Sequence, residues 1–319
     1  MDKAEILARI SETINVGFDE AELIYDKAAL GGEFNVEDEG EVWLNEKFLE
    51  NSVLIDEEGY TKMCVDALKI LSRTAGTDYG SSRQRDMAQM WADMTRGYLG
   101  EYAFTRFLKQ NWNIEAKLDH QAGRLRDFLP MDIHELLLPD GSRRPPKIKI
   151  SIKTTKWNGL WLDIPGDQFN HSDVHVLVKV GAGRDHLFAF FKKLSVFKDK
   201  ILQRGMDVGS LSREESSALF DCLPSFRPIP AYICGFVKKD PRYDSPLSYK
   251  GRKGRTNFTI TSWNGKISSG DLDQIKQRET AKNVKFESIG DFAHDSGYLF
   301  NTGNLLWGER DWGEIVSAL

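Results

Sequence analysis

The chain has 319 residues, with 43 Lys and Arg against 48 Asp and Glu, a net charge of -5 and a mean hydropathy of -0.44. No apolar run approaches the ~18 residues of a membrane helix, which excludes a helical spanning protein; 40% hydrophobic residues suffice for one or two cores at roughly 150 residues per domain. The charge is split, because residues 1–60 hold 17 acids and 4 bases whereas the rest holds 31 acids and 39 bases, a basic body that points toward an anionic partner.

Met1-Asp2-Lys3-Ala4-Glu5 opens an amphipathic stretch with no apolar signal core, so a cytoplasmic location is expected. Ile6, Leu7, Ile10 and Ile14 predict a helix over 3–15. Residues 16–59 mix glycine, acids and short apolar pieces and read as loops and short elements. The acidic segment as a whole reads either as a solvated region or as one that packs on the basic body, helping to form a dimer or shield a cleft. Met63, Ala67, Leu68 and Leu71 predict a second helix over 60–72, and 74–82 is a break. A long helix is predicted over 82–110, its apolar face including Met90, Trp91, Met94, Tyr98, Leu99 and Phe107. Gly97 and Gly100 inside it imply a kink or close packing.

Residues 131–136 read as a strand, Pro139-Asp140-Gly141-Ser142 as a turn, and 147–154 as a strand alternating basic and aliphatic residues. A short strand at 160–164 ends at Pro165-Gly166, and strands are expected at 173–180 and 187–191. Helices follow around 198–204 and 211–220, then a strand at 231–237 and a Lys/Arg/Gly-rich loop over 240–256. The fold class is α/β, with a central mixed sheet flanked by helices. Cys64, Cys222 and Cys234 are odd in number and widely separated, as suits reduced thiols, and the six histidines lack zinc-like spacing.

Three charged positions carry the chemical argument. Asp132 lies in an otherwise largely apolar strand, Lys153 ends the next long strand 21 residues later, and Glu101 sits on the preceding helix. Carboxylates on adjoining elements can hold a hard cation such as Mg²⁺, and an ammonium beside them can align water and offset charge developing on phosphate. Asp127 is a competing carboxylate.

Gly100-Glu101-Tyr102-Ala103-Phe104, Pro130-Met131-Asp132 and Lys149-Ile150-Ser151-Ile152-Lys153-Thr154-Thr155, in that order, resemble the PD-(D/E)XK nuclease superfamily, especially type II restriction endonucleases. The resemblance covers about residues 95–195. It implies a restriction-endonuclease-like core, Mg²⁺ as cofactor, duplex DNA as substrate and a homodimer. It further implies that Asp132 binds metal, that Lys153 is catalytic and that Glu101 is a supporting acid and metal ligand. Met131 separates Pro130 from Asp132, and Ser151 holds the catalytic-motif place where the family usually has Asp or Glu. Some restriction enzymes with Ser there recruit a later acid; here Asp167 is the candidate metal ligand and Asp163 its nearer rival.

On this division, 1–81 is an acidic, mainly helical region, 82–200 the nuclease core and 201–319 an α+β region that helps bind DNA. Arg143, Arg144 and Lys156 near the motif, and Lys250, Arg252, Lys253 and Arg255 in the glycine-rich loop, are the candidate phosphate contacts. The expected function is site-specific, Mg²⁺-dependent cleavage of duplex DNA. The alternatives are a repair or structure-specific nuclease of the same superfamily, or a DNA-binding protein with a degenerate nuclease fold.

Overall fold

The computed structural model of the chain describes residues 1–74, 86–118, 132–169, 171–239, 247–248 and 296–319. Helix α1 (Lys3–Ile14) begins at a reciprocal cap, Asp2 accepting from the Glu5 N–H and Glu5 from the Asp2 N–H, and buries Ile6, Leu7, Ile10 and Ile14. Residues 16–59, read from sequence as loops and short elements, are more ordered than that. They hold α2 (Phe18–Leu30), a turn α3 (Gly40–Val42) that runs into π-helical Trp43–Leu49, and strand β1 (Ser52–Ile55). Asp19, Glu22 and Asp26 of α2 face solvent while its Ala21, Ile24, Tyr25 and Ala28 form a narrow buried stripe, too sparse to stand out against the surrounding glycines and acids.

Helix α4 (Glu57–Thr74) pairs with α5 (Met87–Trp112), which a second reciprocal cap, Asp86 with Gln89, starts and a left-handed Asn113 ends. Strands β2 (Glu115–Leu118), β3 (Ile133–Leu137) and β4 (Arg143–Arg144) form a small antiparallel sheet. Next come β5 (Ile150–Thr155), β6 (Trp161–Pro165), α6 (Gly166–Phe169) and β7 (Val174–Val180).

The stretch 187–191, expected as a strand, is instead inside α7 (Arg184–Lys193). A short apolar run does not distinguish strand from buried helix. Here Gly183 stands at the N-cap, and Ala189 and Phe190 are buried while Phe188 is exposed, a helical alternation. π-helical Phe197–Leu202 then continues into α8 (Gln203–Asp207), followed by α9 (Arg213–Asp221), β8 (Ile229–Lys238), β9 (Leu247–Ser248), β10 (Ser296–Asn301) and α10 (Glu309–Ala318). No helix among the described residues is long and apolar enough to cross a membrane.

The central sheet has the order β1-β8-β7-β5. β5 and β7 are parallel, and β8 runs antiparallel to both β7 and β1, so the sheet is mixed and draws strands from the N-terminal, middle and C-terminal stretches. β7 is buried along its whole length, which explains its near-continuous apolar sequence. On one face, Ile150, Ile152, Val174, Val176, Val178, Ile229 and Ile233 pack with Leu99, Ala103 and Phe107 of α5 and with Trp312 of α10. On the other face, Leu177, Tyr232 and Cys234 pack with α1, α2, the π-helical segment and the β6–β10 ribbon. The molecule is therefore α/β, a mixed sheet between helical layers.

The N-terminal layer is fastened by a buried ion cluster. The fully buried Glu33 meets Lys179 of β7 at 3.2 Å and Lys47 at 3.3 Å, and accepts from the Tyr232 hydroxyl at 2.6 Å. Burial alone would raise the Glu33 pKa, but Lys47, Lys179 and Tyr232 together bring it down to about 2. A carboxylate whose folded pKa lies below its unfolded value stabilises the fold above the unfolded pKa of 4.5, and that stabilisation drains away as pH falls from there toward about 2. Glu33→Ala leaves two lysines buried without a carboxylate and should cost about 3–5 kcal/mol in urea denaturation at pH 7. The deficit against wild type should shrink between pH 4.5 and 2.5; a pH-independent difference would contradict the cluster's ionisation.

Candidate active site

The site forms at β5, the edge strand of the central sheet. Asp132, just before β3, donates its N–H to the Ile150 carbonyl at 3.0 Å and accepts the Ile152 N–H on Oδ2 at 2.5 Å. The Asp132 carboxylate is thus tied to the strand that carries Lys153. Along β5, Ile150 and Ile152 face α5, and the two-residue alternation sends Ser151 and Lys153 to the opposite face.

Glycines set how closely α5 approaches this strand. Thr154 Oγ1 donates to the Gly97 carbonyl at 3.1 Å. A Cβ on Gly100 would fall 1.9 Å from Thr154 Oγ1 and 2.8 Å from its Cβ, so only glycine fits there. Of the two readings of these glycines, the structure shows close packing at Gly100 and open space beside Gly97, in a helix continuous from Met87 to Trp112. Glu101 follows directly and is thereby carried to the β5 edge.

These elements converge on the half-buried Lys153. Burial lowers its pKa, and Asp132, Glu101 and Asp163 act against that, in that order of strength. Asp163 lies on β6, opposite Leu299 of β10. Tyr98, one turn before Glu101, belongs to the same neighbourhood. Burial raises its hydroxyl pKa, and Glu101, Asp66 and Asp132 raise it further. Sequence reading placed Tyr98 only in the apolar face of the helix.

A further member escaped sequence reading altogether. The Lys153 ammonium donates to Gln168 Oε1 at 2.5 Å. Gln168 sits on the single turn α6, whose Phe169 is buried and stacks on His175 of β7 at 5.3 Å, with ring planes 9° apart. His175 Nε2 lies 3.3 Å from the Phe169 carbonyl, and burial, helped by the nearby Lys153 charge, draws the imidazole down to about pKa 4. It therefore stays neutral and donates to that carbonyl. Parallel pairing sets His175 beside Ser151, but no hydrogen bond joins them and His175 Nδ1 has no partner. Ser151 is buried, and the pair is no nucleophile–base dyad.

The other predicted residues separate into two groups. Lys156 is exposed just past the end of β5. Arg143 and Arg144 lie on β4 opposite the far end of β3, Leu136 and Leu137, about 15 Å along the strand from Asp132 at ~3.3 Å per residue. Arg144 donates to the Leu319 main-chain oxygen, and Arg143 acts on Glu115 and Glu135 beside the Lys109–Glu115 and Lys117–Glu135 ion pairs. Trp157 and Trp161 are buried, and the Trp157 N–H donates to Glu20 at 2.8 Å, so both serve packing. Asp127, Pro130, Met131, Lys250, Arg252, Lys253 and Arg255 lie outside the described residues, as does the side chain of Asp167 on α6.

Among the described residues, no group of three or more His, Cys, Asp or Glu side chains could hold a metal ion. The donors that do meet at Lys153 are carboxylate oxygens, with no thiolate and only a buried neutral imidazole. That chemistry fits a hard cation held by Asp132 and Glu101, with water and phosphate oxygens completing its shell. No protein-family model, curated protein or solved structure matches this chain.

The glycine contact yields a direct test. Gly100→Ala should lower stability by about 1–3 kcal/mol despite its better helix propensity, because α5 must move off β5. Adding Thr154→Ala, which removes the opposing Oγ1 and Cγ2 but keeps the Cβ at 2.8 Å, should restore part of the loss in thermal unfolding. Equal stability of the two variants would contradict the contact.

Proposed function

We propose that this chain is an Mg²⁺-dependent endodeoxyribonuclease of the type II restriction class, built on a PD-(D/E)XK-like core. The observation that carries the reading is the half-buried Lys153, on whose ammonium the charges of Asp132, Glu101 and Asp163 all act, with Asp132 hydrogen-bonded to the same strand. An ammonium partly buried within the field of several carboxylates at a sheet edge does little for stability and supports a functional reading.

The reaction it suits is phosphodiester hydrolysis: water forms a new P–O bond, one ester P–O bond breaks, and the departing oxygen gains a proton. Lys153 orients the water and opposes the charge growing on the phosphate oxygens. Asp132 and Glu101, with Asp167 as the candidate third acid, would hold Mg²⁺, which when bound polarises the phosphate and lowers the pKa of coordinated water. Lys156, Arg143, Arg144 and the Lys250, Arg252, Lys253 and Arg255 loop would neutralise DNA phosphates. Symmetric cleavage of both strands calls for a homodimer.

A non-catalytic DNA-binding protein on the same core is the second reading. Its support is Ser151, buried where a metal-binding acid would stand, together with the Asp132 oxygen engaged by the Ile152 N–H.

With Mg²⁺, the purified protein should cut plasmid or phage DNA into discrete fragments, and Asp132→Ala or Lys153→Ala should abolish cutting while duplex binding survives in a gel-shift assay. Preference for ends, branches or single strands would indicate a repair-type nuclease instead. Duplex binding without cleavage in Mg²⁺ or Mn²⁺ would select the second reading.

A further inference from the structure

We propose that Gln168 is a positioning residue for Lys153, an amide oxygen that fixes one direction for the ammonium. The inference rests on the nuclease reading above for its catalytic consequence, although the contact itself is independent of it. A lysine side chain has four rotatable carbons and a point charge that carboxylates can draw in several directions. Around Lys153 those carboxylates come from three elements: Asp132 before β3, Glu101 on α5 and Asp163 on β6. Three competing attractions do not define one geometry. The Gln168 oxygen at 2.5 Å does, and being neutral it holds the ammonium without cancelling its charge.

The backbone beneath Gln168 is built to hold that oxygen still. Gln168 itself is exposed, but Phe169 next to it is among the most completely buried of the described side chains. The Phe169 ring lies between His175 of β7, at 5.3 Å, and Phe300 of β10, at 6.4 Å and 17°. Its carbonyl also accepts from the neutral His175. The turn is therefore pinned to the strand neighbouring β5 and to the β6–β10 ribbon. The imidazole, buried with one nitrogen unpartnered, does for this turn what a structural side chain would do, with no role in proton transfer.

Two measurements on the full-length protein test this. In the first, steady-state cleavage is compared for wild type, Gln168→Leu and Gln168→Glu. Gln168→Leu, similar in size but without an acceptor, should lower kcat about 10–100-fold with KM changed less than about twofold, and Gln168→Glu, which keeps an acceptor but offsets the ammonium charge, should recover only part of the loss. A raised KM with kcat preserved would overturn the proposal in favour of direct contact between Gln168 and DNA. In the second, amine acylation of DNA-free protein at one fixed pH is followed by peptide mass spectrometry at Lys153. Gln168→Leu should label Lys153 several-fold faster at unchanged thermal midpoint, and Gln168→Glu should restore slow labelling. Unchanged labelling would refute the tether whatever the cleavage result. Faster labelling in a protein that cuts no DNA would uphold the tether and reject the nuclease reading alone.

Discussion

A lysine ammonium near the end of a fully buried strand has to be met by a carboxylate, and in this molecule that demand organises the N-terminal layer. Lys179 lies on β7, covered on both faces. Burial works against its charge, and Glu33 more than restores it, so its pKa is raised. Glu33 comes from 146 residues earlier in sequence and also satisfies Lys47, the Tyr232 hydroxyl and, at 3.4 Å, the Trp43 N–H. Without that carboxylate the desolvated lysines would be uncompensated, at a cost comparable to a large part of a domain's net stability. The acidic first sixty residues are thus no solvated appendage. They supply β1, a covering layer and the counter-ion for the central sheet.

The same face of β7 holds one other polar side chain, His175, two register positions from Leu177 and four from Lys179. It too is answered from outside the sheet, by the carbonyl of Phe169, and that answer is what places α6 beside Lys153. The middle strand therefore orders two separate structures through its two polar groups. One is a layer that seals the core; the other is a turn that reaches the candidate site. Across the sheet, Gly100 lets α5 approach β5 closely, with the Gly97 carbonyl accepting from Thr154, so that Glu101 joins from the opposite side.

Elements with strong periodicity were legible in the sequence: α1, α4, the described part of α5, and strands β3, β5, β6, β7 and β8 all fall where spacing predicts them, within a few residues. Asp132, Glu101 and Lys153 were legible as candidates because charges stood on strands and a helix that otherwise read as apolar or alternating. What stayed hidden was contact order. Glu33 looks like any acid in an acidic segment until β7 brings Lys179 to it. Gln168 and His175 belong to a loop and a strand whose meeting depends on parallel pairing of β5 with β7, which local patterning does not encode. The helix α7 was misread for a different reason, since Leu187 to Phe191 is too short an apolar run to reveal its period.

The two buried charge clusters of this sheet are balanced in opposite senses, and the difference bears on what each can do. Around Glu33, one carboxylate serves two ammonium groups, with Tyr232 and Trp43 donating to it and Lys47 resting over the Trp307 ring at 5.4 Å. Every charge there is answered by protein, in a space closed to solvent, as a structural cluster requires. Around Lys153, one ammonium faces Asp132, Glu101 and Asp163, and the lysine remains half-buried at a sheet edge. An excess of carboxylate over ammonium at an open edge raises the electrostatic cost of the folded state, and a phosphate diester arriving alone would be repelled. A divalent cation reverses both effects at once, offsetting the acids and attracting the phosphate. On the proposed reading, the acid surplus that makes this corner of the sheet costly is the feature that calls for the metal, whereas Lys153, held by Gln168, supplies a positive charge to the reacting phosphate.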